Sequence, residues 1–374
     1  FASRHFLLTR VIPSVVQLML RSKIKVGRSV LCALLFCWTC AQDNFSLPLG
    51  RAVYTEKSGQ LVHSSAAEQR ENAAPITPED RRIVSRIVDA SAAGSWEQAK
   101  AAFDQSQTCA IQVYNAAMLA ALKNTRYEEG LKIYNQLCAE GAQKTSPTYT
   151  AAIKLLTRLG KPEEVQKVWD EADSCQRLAN AGCQKILISA MIDAAAHEGN
   201  VHDAARFLDV MVNRTITPDL AAWGSAMNAC KNGFRPSAAR SFLKSMRRFQ
   251  IEPDEVMYTM AMIAHVGAPL SKVKDLAEDM AAHNIQTTSK LVESHVGAVL
   301  GKVVADGGVP EKLESIRTVK ADRLGAAASV IAAAESDGIR LTKMVRDIKI
   351  ALGRLGFPRR SIMKDLGLSR PTER

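Results

Sequence analysis

A helical hairpin is written twice in succession between residues 185 and 254. Ile188, Trp223 and Tyr258 follow one another at intervals of 35 residues, and the Pro-Asp pair at 218 and 219 returns at 253 and 254. A fixed interval of this length is the signature of a repeat protein, in which every copy folds into the same small unit.

Each copy predicts two helices. In the first copy, residues 186–197 place Ile188, Met191 and Ala195 on one helical face, and residues 201–212 carry a second apolar stripe after the break at Gly199. Two amphipathic helices joined by a short turn form an αα-hairpin. Because neither helix can bury its stripe alone, neighbouring hairpins must stack into a solenoid. The prediction is an all-α fold, and strand signals are nearly missing from the chain.

The repeat resembles the pentatricopeptide repeat (PPR) family. The 35-residue copies lack the Trp-x-x-Leu-Gly opening of tetratricopeptide units and the Thr-Pro-Leu-His of ankyrin units. The copy at 220–254 has the family's aromatic in its first helix, small and apolar residues in its second, and the closing pair: Trp223, Ala239, Phe242, Met246, Pro253 and Asp254. The resemblance implies an α-solenoid of stacked helical hairpins, the PPR-type superhelix.

The same spacing divides most of the chain into units. Six hairpins are expected at 80–110, 111–145, 146–184, 185–219, 220–254 and 255–288, of which the first and the last are degenerate. The unit at 146–184 has about four extra residues around 175–182. Residues 289–374 are expected to be either degenerate repeats or a helical cap with a basic tail.

The first 75 residues are expected to be a disordered leader with a targeting role. From Met19, basic residues precede an apolar run and small residues at 39–41, which is the order of a signal peptide. The run is about half of the ~20 residues that span a bilayer, so no stable membrane insertion is expected. A signal peptide at 19–41 followed by a transit segment predicts a plastid protein. A mitochondrial presequence starting at Phe1 is the alternative.

Charge and reactive residues limit the function classes. The net charge is +11, yet residues 80–288 hold 24 Lys and Arg against 23 Asp and Glu, so charge alone does not establish nucleic-acid binding. The single CxxC at 37–40 has no second pair, and the seven histidines have no partner at metal spacing. The His-x-Glu and Pro-Cys-x-x-Cys strings of a deaminase domain are absent. We therefore predict no enzyme activity, no metal and no cofactor.

The resemblance also implies a ligand. PPR arrays read single-stranded RNA at one base per repeat through two or three side chains. In the family, the base is selected by the residue after the early aromatic together with the last residue of the unit. Carried over to this sequence, the selecting pairs are Asn115 with Thr145, Thr150 with Gln184, Ser189 with Asp219, Gly224 with Asp254, and Thr259 with Thr288. Ser189 with Asp219 would favour guanine, and Gly224 would be permissive.

Two further sets of positions are implied. The residue three before the selecting residue sandwiches the base, and Ile186 and Val256 are apolar there, unlike Gln112, Pro147 and Ala221. The residue eight after it is basic in three successive units, Lys123, Arg158 and His197, which would lay a basic rail along the phosphate backbone.

Two functions remain open at this stage. The first is an organellar RNA-binding adaptor that acts in RNA processing, stability or translation, with single-stranded RNA as its partner and other proteins of a processing or ribosomal complex as further partners. The second is a helical-repeat scaffold that binds proteins without sequence-specific RNA readout. The near-neutral array favours the second function, whereas the Ser189 and Asp219 pair and the basic rail favour the first.

Overall fold

A computed structural model describes residues 76–357 except 107–109, 303 and 305. The predicted leader and the basic tail after residue 357 lie outside the described residues. Within the described part the chain forms sixteen α-helices and one 3₁₀ turn, and no strand. The helices are α1 Pro78–Ala92, α2 Trp96–Asp104, α3 Ile111–Lys123, α4 Tyr127–Ala139, α5 Ser146–Arg158, α6 Pro162–Ser174, α7 Ala181–Glu198, α8 Val201–Asn213, α9 Leu220–Asn232, α10 Pro236–Arg248, α11 Glu255–Ala264, α12 Leu270–Ala282, α13 Ser289–Leu300, α14 Val309–Ile316, α15 Ala321–Ser336 and α16 Lys343–Arg354.

The helices pair into hairpins, and the hairpins stack. We call the first helix of each hairpin the A helix and the second the B helix, and number the hairpins as units 1 to 6. Every A helix packs against the A helix of the next unit, so α1, α3, α5, α7, α9 and α11 form a continuous row. The B helices α2, α4, α6, α8, α10 and α12 each pack on the A helix of their own unit. The predicted α-solenoid is confirmed.

The A and B helices differ in composition according to how many of their faces are buried. An A helix has neighbours on two sides, so it buries several faces: α3 buries Ala116, Ala117, Ala120 and Ala121, small side chains that let the next helix approach closely. A B helix such as α10 buries one stripe, which includes Phe242, and leaves its other face polar.

Helix starts follow local capping chemistry. Thr77 caps α1: its hydroxyl accepts a hydrogen bond from the Asp80 amide at 3.1 Å, and the Asp80 carboxylate accepts one from the Thr77 hydroxyl at 2.7 Å. Pro78 occupies the first helical position, where its missing N–H costs nothing.

The extra residues of unit 3 become one additional helical turn. Asn180 caps α7, and it lies 35 residues after Thr145, the cap of α5. Helix α7 then begins four residues earlier, relative to Ile188, than α9 does relative to Trp223. Four residues are close to the 3.6 of one α-helical turn, so the faces of α7 keep their orientation and the row is not interrupted.

The A row continues past unit 6. Helix α13 packs on α11, and α15 packs on α13. The guanidinium of Arg323 in α15 ties this junction together, because it donates to the carbonyls of Val299, at 2.8 Å, and of Ala268. The second helices differ from those of the regular units, since α14 packs mainly on α16.

Ion pairs clamp neighbouring units at the ends of the B helices. Lys144 donates to both carboxylate oxygens of Glu171, at 2.6 and 2.9 Å. Arg247 contacts Asp279 through two nitrogens in the same way, and the Tyr258 hydroxyl donates to that carboxylate at 2.7 Å. Arg214 forms an equivalent pair with Asp173. These cations hold one repeat to the next.

A close backbone contact between turns generates the first prediction. A Cβ built on Gly233 would lie 2.5 Å from the Gly199 carbonyl oxygen, so neither backbone could stay in place. We expect Gly233→Ala to destabilise the fold by about 1–3 kcal/mol, measured by urea unfolding. Gly297→Ala is the matched control: it lies within α13 with nothing within 4 Å of its Cβ, and we expect it to stabilise by about 0.5–1 kcal/mol. Equal destabilisation by both variants would contradict this close contact.

A buried and a half-buried imidazole make stability depend on pH. Burial lowers the pKa of His295 to about 4, and burial also lowers the pKa of the fully buried His265, whose Nδ1 lies 2.7 Å from the Ala261 carbonyl oxygen and whose Nε2 has no partner. The unfolded chain takes up these protons near the ordinary value of 6.5, and the folded chain does so only at lower pH. Stability is thus complete above pH 6.5 and is lost as the pH falls towards 4.

We expect His295 alone to remove about 2 kcal/mol of unfolding free energy between pH 7 and pH 5. Thermal melts of the wild type and of His295→Gln over this pH range measure it. The variant should have a flatter dependence on pH, and parallel curves would argue against a His295 that stays neutral in the folded protein.

Candidate functional site

The second member of each selecting pair lies at a helix start. Thr145, Asp219, Asp254 and Thr288 are the N-caps of α5, α9, α11 and α13. The carboxylate of Asp219 accepts a hydrogen bond from the Ala222 amide at 2.9 Å, and Asp254 makes the equivalent bond. Each of these side chains therefore stabilises its own helix, and for the aspartates only the remaining carboxylate oxygen is left for a ligand.

Asn115 and Thr145 are in direct contact. The Asn115 amide nitrogen donates to the Thr145 hydroxyl at 3.3 Å, and the Thr148 hydroxyl donates to the Asn115 carbonyl oxygen at 2.8 Å. Thr145 and Thr148 are themselves 2.9 Å apart. This chain of hydrogen bonds fixes the orientation of the Asn115 amide at a half-buried position on α3.

Asp219 is paired with a cation that the sequence did not single out. The Lys185 ammonium lies 2.7 Å from the Asp219 carboxylate, and Ser189 is half-buried one helical turn further along α7. Burial raises the pKa of Asp219, but hydrogen bonds from Lys185 and from the Ala222 amide outweigh that effect, and the net pKa lies below its ordinary value. Asp219 is thus a carboxylate at neutral pH and a ligand group would have to compete with Lys185 for it.

The pair of Thr150 with Gln184 differs from the expected arrangement. Gln184 lies inside the added turn of α7, where its amide nitrogen donates to the Leu178 carbonyl at 3.0 Å and its oxygen accepts from Arg214. It is buried, so it serves the junction of units 3 and 4. The cap position that Thr145 and Asp219 occupy elsewhere belongs here to Asn180.

Threonines at the selecting position turn inward. The hydroxyl oxygens of Thr150 and Thr259 are both buried and have no hydrogen-bond partner. The whole Thr259 side chain is only 9% exposed, which differs from the prediction that it faces a ligand. Threonine in a helix divides between two χ1 rotamers, so packing against the next A helix decides where the hydroxyl goes.

Gly224 leaves little room beside it. A Cβ at this position would lie 3.2 Å from the Met257 methyl group on α11, so the neighbouring A helix covers part of the site. Asp254, the other member of the pair, is exposed. The pair offers one carboxylate and one open stretch of backbone.

Sequence reasoning missed a polar ladder across three A helices. Lys154 of α5 lies 4.0 Å from the Asp193 carboxylate of α7, and the Ser225 hydroxyl of α9 donates to the same carboxylate. Lys154 and Asp193 each follow their selecting residue by four, so a search for charged residues one turn further along the A helices would have found them.

The proposed sandwiching and rail residues are accessible. Ile186 is 38% exposed and Val256 is 55% exposed, whereas most apolar side chains of the A helices are buried. Lys123 and Arg158 are the last residues of α3 and α5, are exposed, and have no carboxylate partner among the described residues. His197 is exposed in the last turn of α7. All three lie at the same edge of the row, where the A helices end.

The described residues contain neither a candidate metal centre nor a helix that could span a membrane. No group of three or more His, Cys, Asp or Glu side chains that could hold a metal ion occurs there. No helix in this part of the chain has the length and apolar content needed to cross a bilayer. The four described cysteines, Cys138, Cys175, Cys183 and Cys230, are free thiols.

Fold and spacing define the class of protein: a helical-repeat solenoid built from hairpins of about 35 residues. A family model described as the PPR repeat matches residues 147–175 and 188–216. At these residues the chain carries pentatricopeptide repeats.

Relatives of known name carry the same repeat. A pentatricopeptide repeat-containing protein of Arabidopsis thaliana, named as mitochondrial, is 26% identical over 198 residues, which cover 51% of this chain and 26% of the relative. A second such protein of the same plant, also named as mitochondrial, is 22% identical over 172 residues, which cover 46% of this chain and 25% of that relative. The chain spans about a quarter of the length of these relatives.

Among solved structures, maize PPR10 is similar, with 15% identity and a TM-score of 0.46 over 79% of this chain and 46% of that one. The structure of PPR10 in complex with an 18-nucleotide psaJ RNA element has 13% identity and a TM-score of 0.42, over 78% of this chain and 47% of the other.

Proposed function

We propose that this protein is an organellar, non-enzymatic adaptor that holds a short segment of single-stranded RNA and acts in RNA processing, stability or translation. The observation that carries the proposal is the contact between Asn115 and Thr145, two residues 30 apart that the pairing places together. An amide held by two hydroxyls can present a donor and an acceptor to the edge of a base.

The array supplies the geometry for such a ligand. Successive A helices lie side by side in a row, so one position of the repeat recurs once per unit along one direction. The proposed path runs along the A row past Asn115, Thr150, Ser189, Gly224 and Thr259. Its second members are Thr145, Asp219 and Asp254, with Ile186 and Val256 as wedges between bases.

Specificity would be limited under this proposal. Six units address only about as many bases, and Thr150 and Thr259 bury their hydroxyls. A partner protein of an RNA-processing or ribosomal complex would add the missing specificity. The proposed domain organisation is a targeting leader at 1–75, reading units at 80–288, and degenerate repeats or a helical cap with a basic tail at 289–374.

The compartment is part of the proposal. The relatives named above are both mitochondrial, which supports the mitochondrial alternative over the plastid prediction.

A second function is favoured by the internal pairing of charges. Asp219 forms an ion pair with Lys185. Asp193 lies within ion-pair distance of Lys154 and accepts a hydrogen bond from Ser225, and Gln184 donates a hydrogen bond at the junction of units 3 and 4. Because these polar groups already pair with one another, they are not available to hydrogen-bond to a base. Such a row suits a scaffold that binds proteins and does not read bases. Selection of RNA from a randomised pool separates the two: the adaptor enriches a short motif, and the scaffold enriches none.

The base preference at unit 4 tests the pairing. We expect Ser189→Asn to change the enriched base at one position of the selected motif, because the side chain that meets the base edge gains a donor and an acceptor. Ser271→Asn, at an exposed position on the outer helix α12, is the matched control and should leave the motif unchanged. If both variants enrich the wild-type motif, Ser189 does not select a base.

The salt dependence of binding tests the basic rail. Removing Lys123 and Arg158 together, as alanines, should weaken binding to every RNA and reduce the slope of log K against log salt by about 1.4, since each phosphate contact on a single strand contributes about 0.7. Lys132→Ala with Lys167→Ala removes two exposed cations from the outer helices α4 and α6. An equal change of slope in this control pair would show that no rail exists.

A further inference from the structure

The near-neutral array hides one strongly basic unit. Unit 5, residues 220–254, holds six Lys and Arg against two Asp and Glu, whereas unit 4 holds three against five and unit 6 holds two against four. Two of its cations, Arg240 and Arg247, pair with Asp275 and Asp279 of the next unit, each at 3.0 Å. The rest have no carboxylate partner among the described residues: Lys231, Arg235, Lys244 and Arg248.

The turn of the same unit carries an aromatic residue in an unfavourable conformation. Phe234 has φ +50°, in the left-handed region, where unit 2 has Thr125 and the other four units have glycine: Gly94, Gly160, Gly199 and Gly267. A bulky side chain is rare at such angles because its Cβ crowds the backbone, and glycine removes the conflict. The Phe234 side chain is nevertheless 48% exposed and packs on no other aromatic ring among the described residues, so its burial offsets the strain only in part.

The turn is held rigidly. The Asn232 amide nitrogen donates to the Ala196 carbonyl of unit 4 at 2.7 Å, and Gly233 lies directly against Gly199 of the same neighbour. The Phe234 ring is therefore presented from a fixed backbone. Strain that persists where the surroundings enforce it points to a functional position.

The charged residues that flank Phe234 in the sequence have one sign. Lys231 ends in the last turn of α9, Arg235 is the N-cap of α10, and the first turn of α10 has no acidic residue. By contrast, α4 opens with Glu128 and Glu129. The segment 231–235, which we call the unit 5 turn, lies at the edge of the row where the A helices end, the same edge as Lys123 and Arg158.

We propose that the unit 5 turn is a base-stacking anchor for single-stranded RNA, in which the Phe234 ring stacks on one unpaired base and Lys231 and Arg235 contact the flanking phosphates. An aromatic face between cations suits an unpaired nucleotide of any sequence, because every base has a π-face and every linkage a charge. The anchor rests on the proposed RNA function but uses none of the base-selecting residues. Gly224, the selecting position of this unit, lies ten residues earlier, about 15 Å along α9.

Three substitutions of Phe234 test the anchor with a randomised single-stranded RNA pool. Phe234→Gly removes both the ring and the strain, so we expect its melting temperature to rise by a few degrees while its affinity for the pool falls roughly tenfold. Phe234→Tyr keeps a ring and should bind like the wild type. Phe234→Leu keeps apolar surface and strain without a π-face, and should lose affinity as the glycine variant does.

An independent signal comes from a pool that carries 2-aminopurine, whose fluorescence is quenched by stacking. Quenching should remain with Phe234→Tyr and diminish with Phe234→Gly. The pair Lys231→Gln with Arg235→Gln should reduce the salt slope by about 1.4, whereas the Phe234 variants should leave it unchanged.

The outcomes are distinct. If the wild type binds no RNA, both the anchor and the proposed function fall. If the wild type binds and Phe234→Gly binds equally well, only the anchor is overturned. A third outcome is that the wild type binds an acidic synthetic peptide, and that Phe234→Gly loses this binding but still binds RNA as the wild type does. That result would assign the turn to a protein partner and overturn the anchor. A tenfold loss for both the glycine and leucine variants, with tyrosine unaffected, would establish it.

Discussion

The structure depends on a requirement of the A helices: they must be buried on two sides at once. A hairpin covers one side of its A helix with its own B helix, and the other sides are covered only when the next unit is present. Alanine on α3 and on its counterparts lets these helices approach closely, and the contact repeats from α1 to α15. The row is therefore both the core of the protein and the element that sets the spacing of everything the protein presents.

The positions proposed to meet a ligand also hold the fold together. Asp219 caps α9 and pairs with Lys185, and Thr145 caps α5 while it supports Asn115. A base that binds here would exchange one set of hydrogen bonds for another, so the net gain per base would be modest. Cations outside this network act differently, because Lys123, Arg158 and Arg235 contribute charge without giving up an internal partner. In such an array, the cations where the A helices end would provide affinity for RNA, and the selecting residues along the A helices would discriminate between bases.

The interval of 35 was sufficient to predict the hairpins, because it repeats features that local chemistry explains. Pro-Asp at 218–219 marks a helix start, and Gly199 marks a turn. The side-chain environment of the selecting positions was less predictable. Thr259 and Thr150 have the same position in their repeats as Ser189, yet their hydroxyls are buried, since the path of each hydroxyl depends on how closely the next A helix approaches. The ladder through Asp193 likewise requires three helices that lie far apart in sequence.

Conformational strain at Phe234 was also hidden from the sequence. The letter before Phe234 is Gly233, and Gly233 is the obvious candidate for the left-handed residue, as Gly199 is in the previous unit. In the structure the left-handed position stays in register, because Phe234 lies one repeat interval of 35 residues after Gly199, and it is the glycine that is displaced by one residue: Phe234 takes the left-handed angles, while Gly233 provides the close contact. The close backbone contact with unit 4 requires a glycine at 233, and the left-handed conformation falls on the next residue, 234. One glycine cannot meet both requirements.

The lengthened start of α7 shows how such an array tolerates changes in chain length. Four added residues rotate the helix by about 40° beyond a full turn and extend it by about 6 Å, so its apolar face still meets α5 and α9. Two added residues would instead rotate the preceding segment by about 200° and expose apolar side chains. Insertions and deletions in the A helices should therefore be tolerated in steps of three or four residues. The start of one A helix can lengthen independently of the others while the helices of the row keep the same faces in contact.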